Sequence, residues 1–269
     1  MNFGLIIIGD EILSGKRQDK HLAKVIELLG ARGLSLAWAQ YLGDDPARIT
    51  AALRSAFASG DVVFSCGGIG ATPDDHTRQC AAAALERPLA LHPEARELIM
   101  ARVRKLAAEQ GWTADPDHPD TIHRLNMGVF PEGAEIIPNP YNQIPGFAVN
   151  DVHFVPGFPV MAHPMIEALL DGRYAHLHGG GAQQERSVIV YGAMEASLTP
   201  LMIDIEARFP GIKVFSLPSV DHPVHGRHIE LGVKGQGDAL LSAYADLLAG
   251  LRRCGAATGP ELVRGIDPQ

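Results

Sequence analysis

Ser65-Cys-Gly-Gly-Ile-Gly-Ala-Thr-Pro-Asp-Asp-His-Thr77 is the stretch on which the fold turns. It follows the apolar run Val62-Val63-Phe64 and precedes an alanine-rich segment that reads as helix. A glycine-dense turn between a buried strand and a helix start is where an open α/β sheet binds ligands, in the crevice beyond the strands' carboxyl ends. Gly67, Gly68 and Gly70 let the backbone approach an anion closely and turn N–H groups toward it. The next helix is expected to begin at about Pro73, with Thr72 as its N-cap, so its N-terminus adds a field that favours phosphate.

Asp74 and Asp75 would repel a phosphate placed beside them. They make sense if a divalent cation bridges them to it, or if one acts as a base. The plain alternative is that both complement the helix dipole.

This pattern resembles the signature of the molybdopterin-binding MoaB/Mog domain family, and looks closest to its CinA-like branch, named for competence/damage-inducible proteins. Three further stretches carry the likeness in the family's order: Gly9-Asp10-Glu11-Ile12-Leu13-Ser14-Gly15, Gly43-Asp44-Asp45 and Val155-Pro156-Gly157-Phe158-Pro159. Together they cover the chain from its start to about residue 170. The resemblance implies an α/β fold, a three-layer domain with a mostly parallel sheet over residues 1–171. It also implies that an aspartate at the second stretch and one in the glycine motif serve the chemistry, as in Mog proteins that insert molybdenum or adenylylate the pterin. Here these are Asp44 and Asp75. The chain departs from the family at Ala71, where proline is usual. It departs again at Val160, Met161 and Ala162, where relatives often carry a glutamate.

The chain has 269 residues, 46% hydrophobic and 20% charged, with formal charge −8 and pI about 5.8. That is a globular composition, long enough for one large domain or two smaller ones. The acidic balance and the lack of a basic tract argue against nucleic acid as the main partner. No apolar run approaches the roughly 20 residues that span a bilayer. Phe3–Ile8 reads as a first strand and not as a signal peptide. Cys66, Cys80 and Cys254 are odd in number and far apart, which suggests a reducing cytosol and a cytoplasmic protein. Cys66 abuts the glycine turn without an identifiable base and reads as a small buried residue.

Residues 3–8 form a buried strand that ends at Asp10-Glu11, a carboxylate pair past a strand end and a candidate for metal or ligand contact. Leu22, Val25, Ile26 and Leu29 follow at helical spacing. Leu34–Leu42 reads as a second strand. Asp45 before Pro46 is a natural N-cap, which leaves Asp44 available at another strand end. Ile49, Leu53, Ala56 and Phe57 share a helix face that Gly60 closes. Helix signals run from about Asp74 to Leu85 and from Pro93 to Gln110. A polar loop spans 111–119, and Arg124–Met127 and Phe130–Pro140 read as strand and turn, with Asn139 a ligand candidate by resemblance. Val152–Val155 is an apolar strand, and Pro156-Gly157 opens a helix as a second anion cradle.

Residues 172–182 form a linker around Gly179-Gly180-Gly181. A small unit of order βαββα follows at 183–255, which resembles the KH-like unit of CinA-like proteins, and 256–269 reads as a frayed tail. It lacks a Gly-x-x-Gly clamp between basic residues, so RNA binding is not expected. His222, His225 and His228 read as scattered histidines of a solvated turn. Full-length CinA proteins add a deamidase domain, and no such activity is expected of this sequence.

Two functions fit. In one, Asp10, Glu11 and Asp75 hold a divalent metal such as Mg²⁺, Asp44 and Asp75 serve catalysis, and a nucleotide pyrophosphate of the ADP-ribose type is hydrolysed. Gly67, Gly68, Gly70, Thr72, Asp74, Pro156 and Gly157 would bind the ligand. In the other, the same pocket holds molybdopterin without turnover. A nicotinamide-dinucleotide oxidoreductase is disfavoured, since Gly67-Gly68-Ile69-Gly70 lacks the dinucleotide fingerprint and follows the third strand. No Gly-Lys-Ser/Thr follows, which excludes a P-loop. Family relatives are oligomers, so a homodimer or homotrimer is expected.

Overall fold

A strand with no polar residue has no face to show to water, and Phe3–Ile8 (β1) is buried along its whole length inside a sheet. The computed structural model describes residues 1–179 and 184–265. The chain divides into two units, the first Met1–Leu29 with Ser35–His176, the second Gly30–Leu34 with the residues from Leu177 onward.

In the first unit, β1 leads through a short helix, Asp10–Leu13 (α1), to His21–Gly30 (α2) and Leu36–Leu42 (β2). Pro46–Ser59 (α3) follows, then Val62–Cys66 (β3), Thr77–Leu85 (α4), Leu89–Leu91 (β4) and Pro93–Gln110 (α5). Pro119–Leu125 (α6), Val129–Pro131 (β5), Glu135–Ile137 (β6), Gly146–Val149 (β7), Val152–Val155 (β8) and Pro159–Asp171 (α7) complete it. The sheet order is β2-β1-β3-β8-β7-β6. β2, β1, β3 and β8 run parallel, and β7 and β6 are added antiparallel.

Alternation along the strands builds the layers. Ile6, Ile8, Val63, Phe147 and Phe154 join Ile49 and Leu53 of α3 and Cys80 and Ala81 of α4 in one core. Phe147 stacks on Phe154 with centroids 4.3 Å apart. The neighbouring Gly146 faces the other way and meets Met165 of α7, so α7 covers the opposite face. Asp45 caps α3 as expected, its carboxylate accepting the Arg48 N–H at 2.9 Å, and Gly60 ends that helix at φ 71°.

Two expectations in this unit need correction. α4 begins at Thr77 and not near Pro73. Thr72 does not cap it, because its N–H and its hydroxyl both donate to Asp75 Oδ2, at 2.9 and 2.5 Å, and close a separate turn. Arg124 and Leu125 end α6, and Asn126–Gly128 continue as a 3₁₀ turn, where strand was expected.

The second unit holds Gln184–Tyr191 (β9), Glu195–Arg208 (α8), Lys213–His222 (β10), Gly226–Gly235 (β11), Gly237–Arg253 (α9) and Ala257–Arg264 (β12). Its sheet is antiparallel, in the order β10-β11-β9-β12. Val188, Leu231 and Val233 pack with Leu198 and Ile205 of α8 and with Leu240 and Leu247 of α9. The expected βαββα order is thus extended by a strand drawn from the supposed tail. β12 is fixed by Arg264, which donates two hydrogen bonds to the Glu230 carboxylate, and by Tyr244, whose hydroxyl donates to Glu261 at 3.1 Å. Gly180 and Gly181 of the expected linker, with residues 266–269 of the tail, lie outside the described residues.

Candidate functional site

The chain leaves β1 toward β2 on one side and returns to β3 on the other, so the turns after β1 and β3 diverge at a switch point of the sheet. A cleft of about 500 Å³ opens there. Several turns line it, among them those of Gly9 and Glu11, Asp44, Gly67 through Thr72, Asn139 with Asn142, and Pro156 through Phe158.

The glycine turn is built against its neighbours. A Cβ on Gly67 would lie 2.3 Å from the Ile8 carbonyl oxygen, at φ 108°. Its N–H donates to Val155 O at 3.1 Å, which ties the turn to β8. The carbonyls of the turn face α4. Gly67 O accepts from the Thr77 hydroxyl at 3.0 Å, Gly68 O accepts from the Thr77 N–H at 3.0 Å, and Gly70 O accepts from the Arg78 guanidinium. Among the described residues, nothing takes up the successive N–H groups of Gly68, Ile69 and Gly70. Unpaired N–H groups in a sheltered turn are rare, and a run of them lining a cleft is suited to an oxyanion.

The carboxylates sit along one side. Asp10 N–H donates to Asp44 Oδ2 at 2.9 Å, and Asp44 N–H donates to Asp10 Oδ1 at 3.2 Å. Burial holds the Asp44 carboxyl above its ordinary range, and the charges of Asp10, Glu11 and Asp74 act in the same direction against the one backbone bond that it accepts. Asp10, Glu11, Asp44 and Asp74 also border one shallow hollow beside the cleft. Asp75 lines the cleft itself, with its Oδ2 turned to Thr72. Among the described residues no group of three or more His, Cys, Asp or Glu side chains is arranged to hold a metal ion, so the expected set Asp10, Glu11 and Asp75 does not close into a preformed cage. Arg17 is the basic residue of the cleft lining; its guanidinium lies 5.8 Å from the centroid of the Phe158 ring and 4.0 Å from Glu11 Oε1.

Known proteins resemble this chain over the part that builds the cleft. A family model described as "Probable molybdopterin binding domain" matches residues 4–176. The chain belongs to this family. Within it, the chain is similar to a CinA-like protein of Syntrophotalea carbinolica, 31% identical over 223 residues, which are 78% of this chain and 51% of that protein. A CinA-like protein of Geobacter metallireducens is 29% identical over 94% of this chain and 59% of its own length. The chain thus spans between half and three fifths of these two relatives. A protein of Pyrobaculum calidifontis is 30% identical over 91% of this chain and 94% of its own length. Among solved structures, the protein CinA of Thermoplasma acidophilum, described as of unknown function, superposes with a TM-score of 0.51 at 28% identity, over 64% of this chain and 98% of that one. The family inferred above from four motifs is thereby established, and CinA-like proteins are among the chain's relatives.

Other expected residues fall as follows. Pro156 and Gly157 line the cleft. Asn139 is buried and spent on its own loop: its amide donates to Asn142 and to Ile144 O, and its oxygen accepts the Tyr141 N–H. Cys66 is buried, and burial pushes its thiol far up, which leaves it no nucleophile at neutral pH. The three histidines of the β10–β11 turn are not scattered, since their ring centroids lie 5.0 to 5.6 Å apart and His228 is buried. No helix of the described residues is long and apolar enough to cross a membrane.

Sequence reasoning passed over His21. It is 4% exposed, and its Nε2–H donates to Gly157 O at 3.1 Å, which holds the second turn of the cleft. Asp19 seats it by accepting the N–H groups of His21 and Leu22 at 2.8 and 3.1 Å. An aspartate two residues before a helical run is the signal that could have marked the helix start, and nothing in the sequence marks the histidine.

Proposed function

We propose that the cleft binds the phosphate end of a small phosphorylated ligand, a pterin or a nucleotide, and that with a divalent cation it hydrolyses a nucleotide pyrophosphate of the ADP-ribose type. The observation that carries the reading is the run of unpaired N–H groups at Gly68, Ile69 and Gly70 in a turn that lines one cleft together with Glu11, Asp44, Asp74 and Asp75. The N–H groups and Arg17 would neutralise phosphate oxygens. Thr72 and Asp75 keep the turn in shape. Asp44, whose carboxyl is raised by burial and by its acidic neighbours, would take the proton from the attacking water.

The donor set is all carboxylate oxygen, and Asp10 and Asp44 each use only one oxygen in their reciprocal bonds. That suits Mg²⁺, which is usually held by one or two carboxylates together with substrate phosphates and not by an all-protein cage. One or two of the carboxylates Asp10, Glu11 and Asp75 would hold it together with the phosphate of the substrate. Such an ion supplies charge neutralisation and a more acidic bound water.

Phosphorus NMR of ADP-ribose with Mg²⁺, Mn²⁺ or Co²⁺ tests the reading. Metal-dependent cleavage by the wild type, lost in Asp75→Asn, is the expected result. No cleavage with any of the three metals would sink the hydrolase. The second reading is a non-catalytic molybdopterin-binding protein linked to molybdenum cofactor biosynthesis, and the description of the family model supports it. It predicts saturable pterin binding without turnover.

A further inference from the structure

Arg78 is 4% exposed, and its guanidinium is not accounted for by the fold. A guanidinium carries five N–H donors. Among the described residues it makes one hydrogen bond, from Nη2 to Gly70 O, while its buried Nε has no partner and no carboxylate lies within ion-pair distance. Asp75 supports the charge only through space. A buried cation with idle donors is costly unless an anion completes it.

Arg78 lines a second cavity of about 360 Å³, on the far side of the turn that walls the main cleft. Ala71, Thr72 and Asp75 border both spaces, whereas His76, Arg78, Gln79 and Asn126 border only the second. All four can donate hydrogen bonds, and Asp75 is the single acid of this lining, with one oxygen already taken by Thr72.

We propose that this cavity is a second anion site, for inorganic phosphate or a small phosphomonoester, formed by Arg78 with His76, Gln79 and Asn126. A planar guanidinium matches two oxygens of a phosphate, and the amides of Gln79 and Asn126 supply neutral donors around it. An anion held there would touch the Ala71–Asp75 turn from behind and so bear on the shape of the main cleft. The proposal stands on this cavity alone and does not need the cleft to be a hydrolase.

The test is an NMR titration of the full chain that follows the arginine Nε–H signals, with Arg78 assigned by through-bond transfer from its backbone. Inorganic phosphate and AMP are the two probes. Saturable movement of the Arg78 Nε–H is expected with at least one, and whichever binds more tightly says whether the free ion or the monoester is preferred. Gln79→Leu and Asn126→Leu should each weaken that binding roughly tenfold, the effect of losing one hydrogen bond to a charged ligand. Asp44→Asn, in the main cleft, should leave it within about twofold. No movement of the Arg78 signal at tens of millimolar probe would overturn the proposal. So would movement that survives both leucine variants or vanishes in Asp44→Asn, since the main cleft would then be the site.

Discussion

Asp10 and Asp44 hold each other's loops: each backbone N–H donates to the other's carboxylate, at 2.9 and 3.2 Å. The arrangement fixes two acidic turns side by side at the ends of β1 and β2, and it leaves like charges crowded at one edge of the cleft.

The first expectation follows from that crowding. The Asp44 carboxyl is raised by burial, with Asp10, Glu11 and Asp74 adding to it. A carboxyl raised in the folded state binds its proton more tightly there than in the unfolded chain. Stability therefore falls as pH climbs from the unfolded value to the raised one, and the loss is constant above it. Asp44→Asn keeps an oxygen for the Asp10 N–H and removes the charge. It should melt higher than the wild type at pH 7, with the gap closing as pH falls toward 4, while ligand binding or turnover drops. Melting curves across that range check it, and a wild type that gains on the variant with rising pH would refute the crowding argument.

Gly68 and Thr77 form a second dependent pair. A Cβ on Gly68 would fall 2.2 Å from Thr77 Oγ1, at a φ of +68°. Gly68→Ala must therefore push aside the hydroxyl that holds Gly67 O, besides straining the backbone. The cost should be about 2–4 kcal/mol. Thr77→Ala alone should cost about 1–3 kcal/mol. Because removing the hydroxyl also removes the clash, the double variant should lose less than the sum. Urea denaturation of the four proteins measures this, and strict additivity would show that the two sites are independent.

His153 gives the acid limit of stability. It is fully buried, and its Nε2 lies 2.6 Å from the Tyr174 hydroxyl, which donates to Asp151 Oδ1 at 2.8 Å. The tyrosine's proton is committed, so the imidazole must donate from Nε2, and its Nδ1 is left without a partner. Burial is the main cause that lowers the pKa to about 3, with the Arg173 charge adding to it and Asp151 opposing it. The folded state then binds fewer protons than the unfolded chain between about pH 6.5 and 3, so stability is complete above pH 6.5 and drains as pH falls. The loss should reach about 2 kcal/mol by pH 5. His153→Phe should flatten that slope and stay within about 1 kcal/mol of the wild type at pH 8, because only one hydrogen bond is removed.

Much of this was legible in the sequence. Apolar runs gave β1, β3 and β8 because strands buried on both faces need no alternation. The Asp45-Pro46 cap was legible because capping is local. What failed was non-local. Thr72 looks like an N-cap, yet a short chain of bonds from Thr77 and Arg78 to the glycine carbonyls moves the helix start to Thr77. β12 was hidden by Gly259-Pro260, which break any strand pattern; the pairing with β9 absorbs them in a register shift between Thr258 and Glu261. Glu230, the anchor for Arg264, lies 34 residues away in sequence. The meeting of His222, His225 and His228 depends in the same way on the hairpin's shape. In the candidate site, the motifs lie on turns that line the cleft, whereas the residues behind those turns, His21 and Arg78, carry no such mark.

His21 supplies the last expectation. Its Nε2–H bond to Gly157 O is the side-chain tie on a turn that otherwise rests on Gly67, where a Cβ on Gly157 would come within 3.3 Å of the Gly67 Cα. Burial lowers its pKa below 6.5, with Gly157 O and Asp19 opposing. The neutral ring is therefore the folded form, and stability is lost as pH falls from 6.5 through the lowered value. His21→Leu should remove that pH term and free the turn. Amide exchange at Gly157 and Phe158 should then rise about tenfold, the effect of roughly one hydrogen bond. His21→Gln, whose amide can donate to the same carbonyl, should restore slow exchange while still lacking the pH term. Unchanged exchange in His21→Leu would mean that packing on Gly67 alone holds the turn, and His21 would then have no part in shaping the cleft.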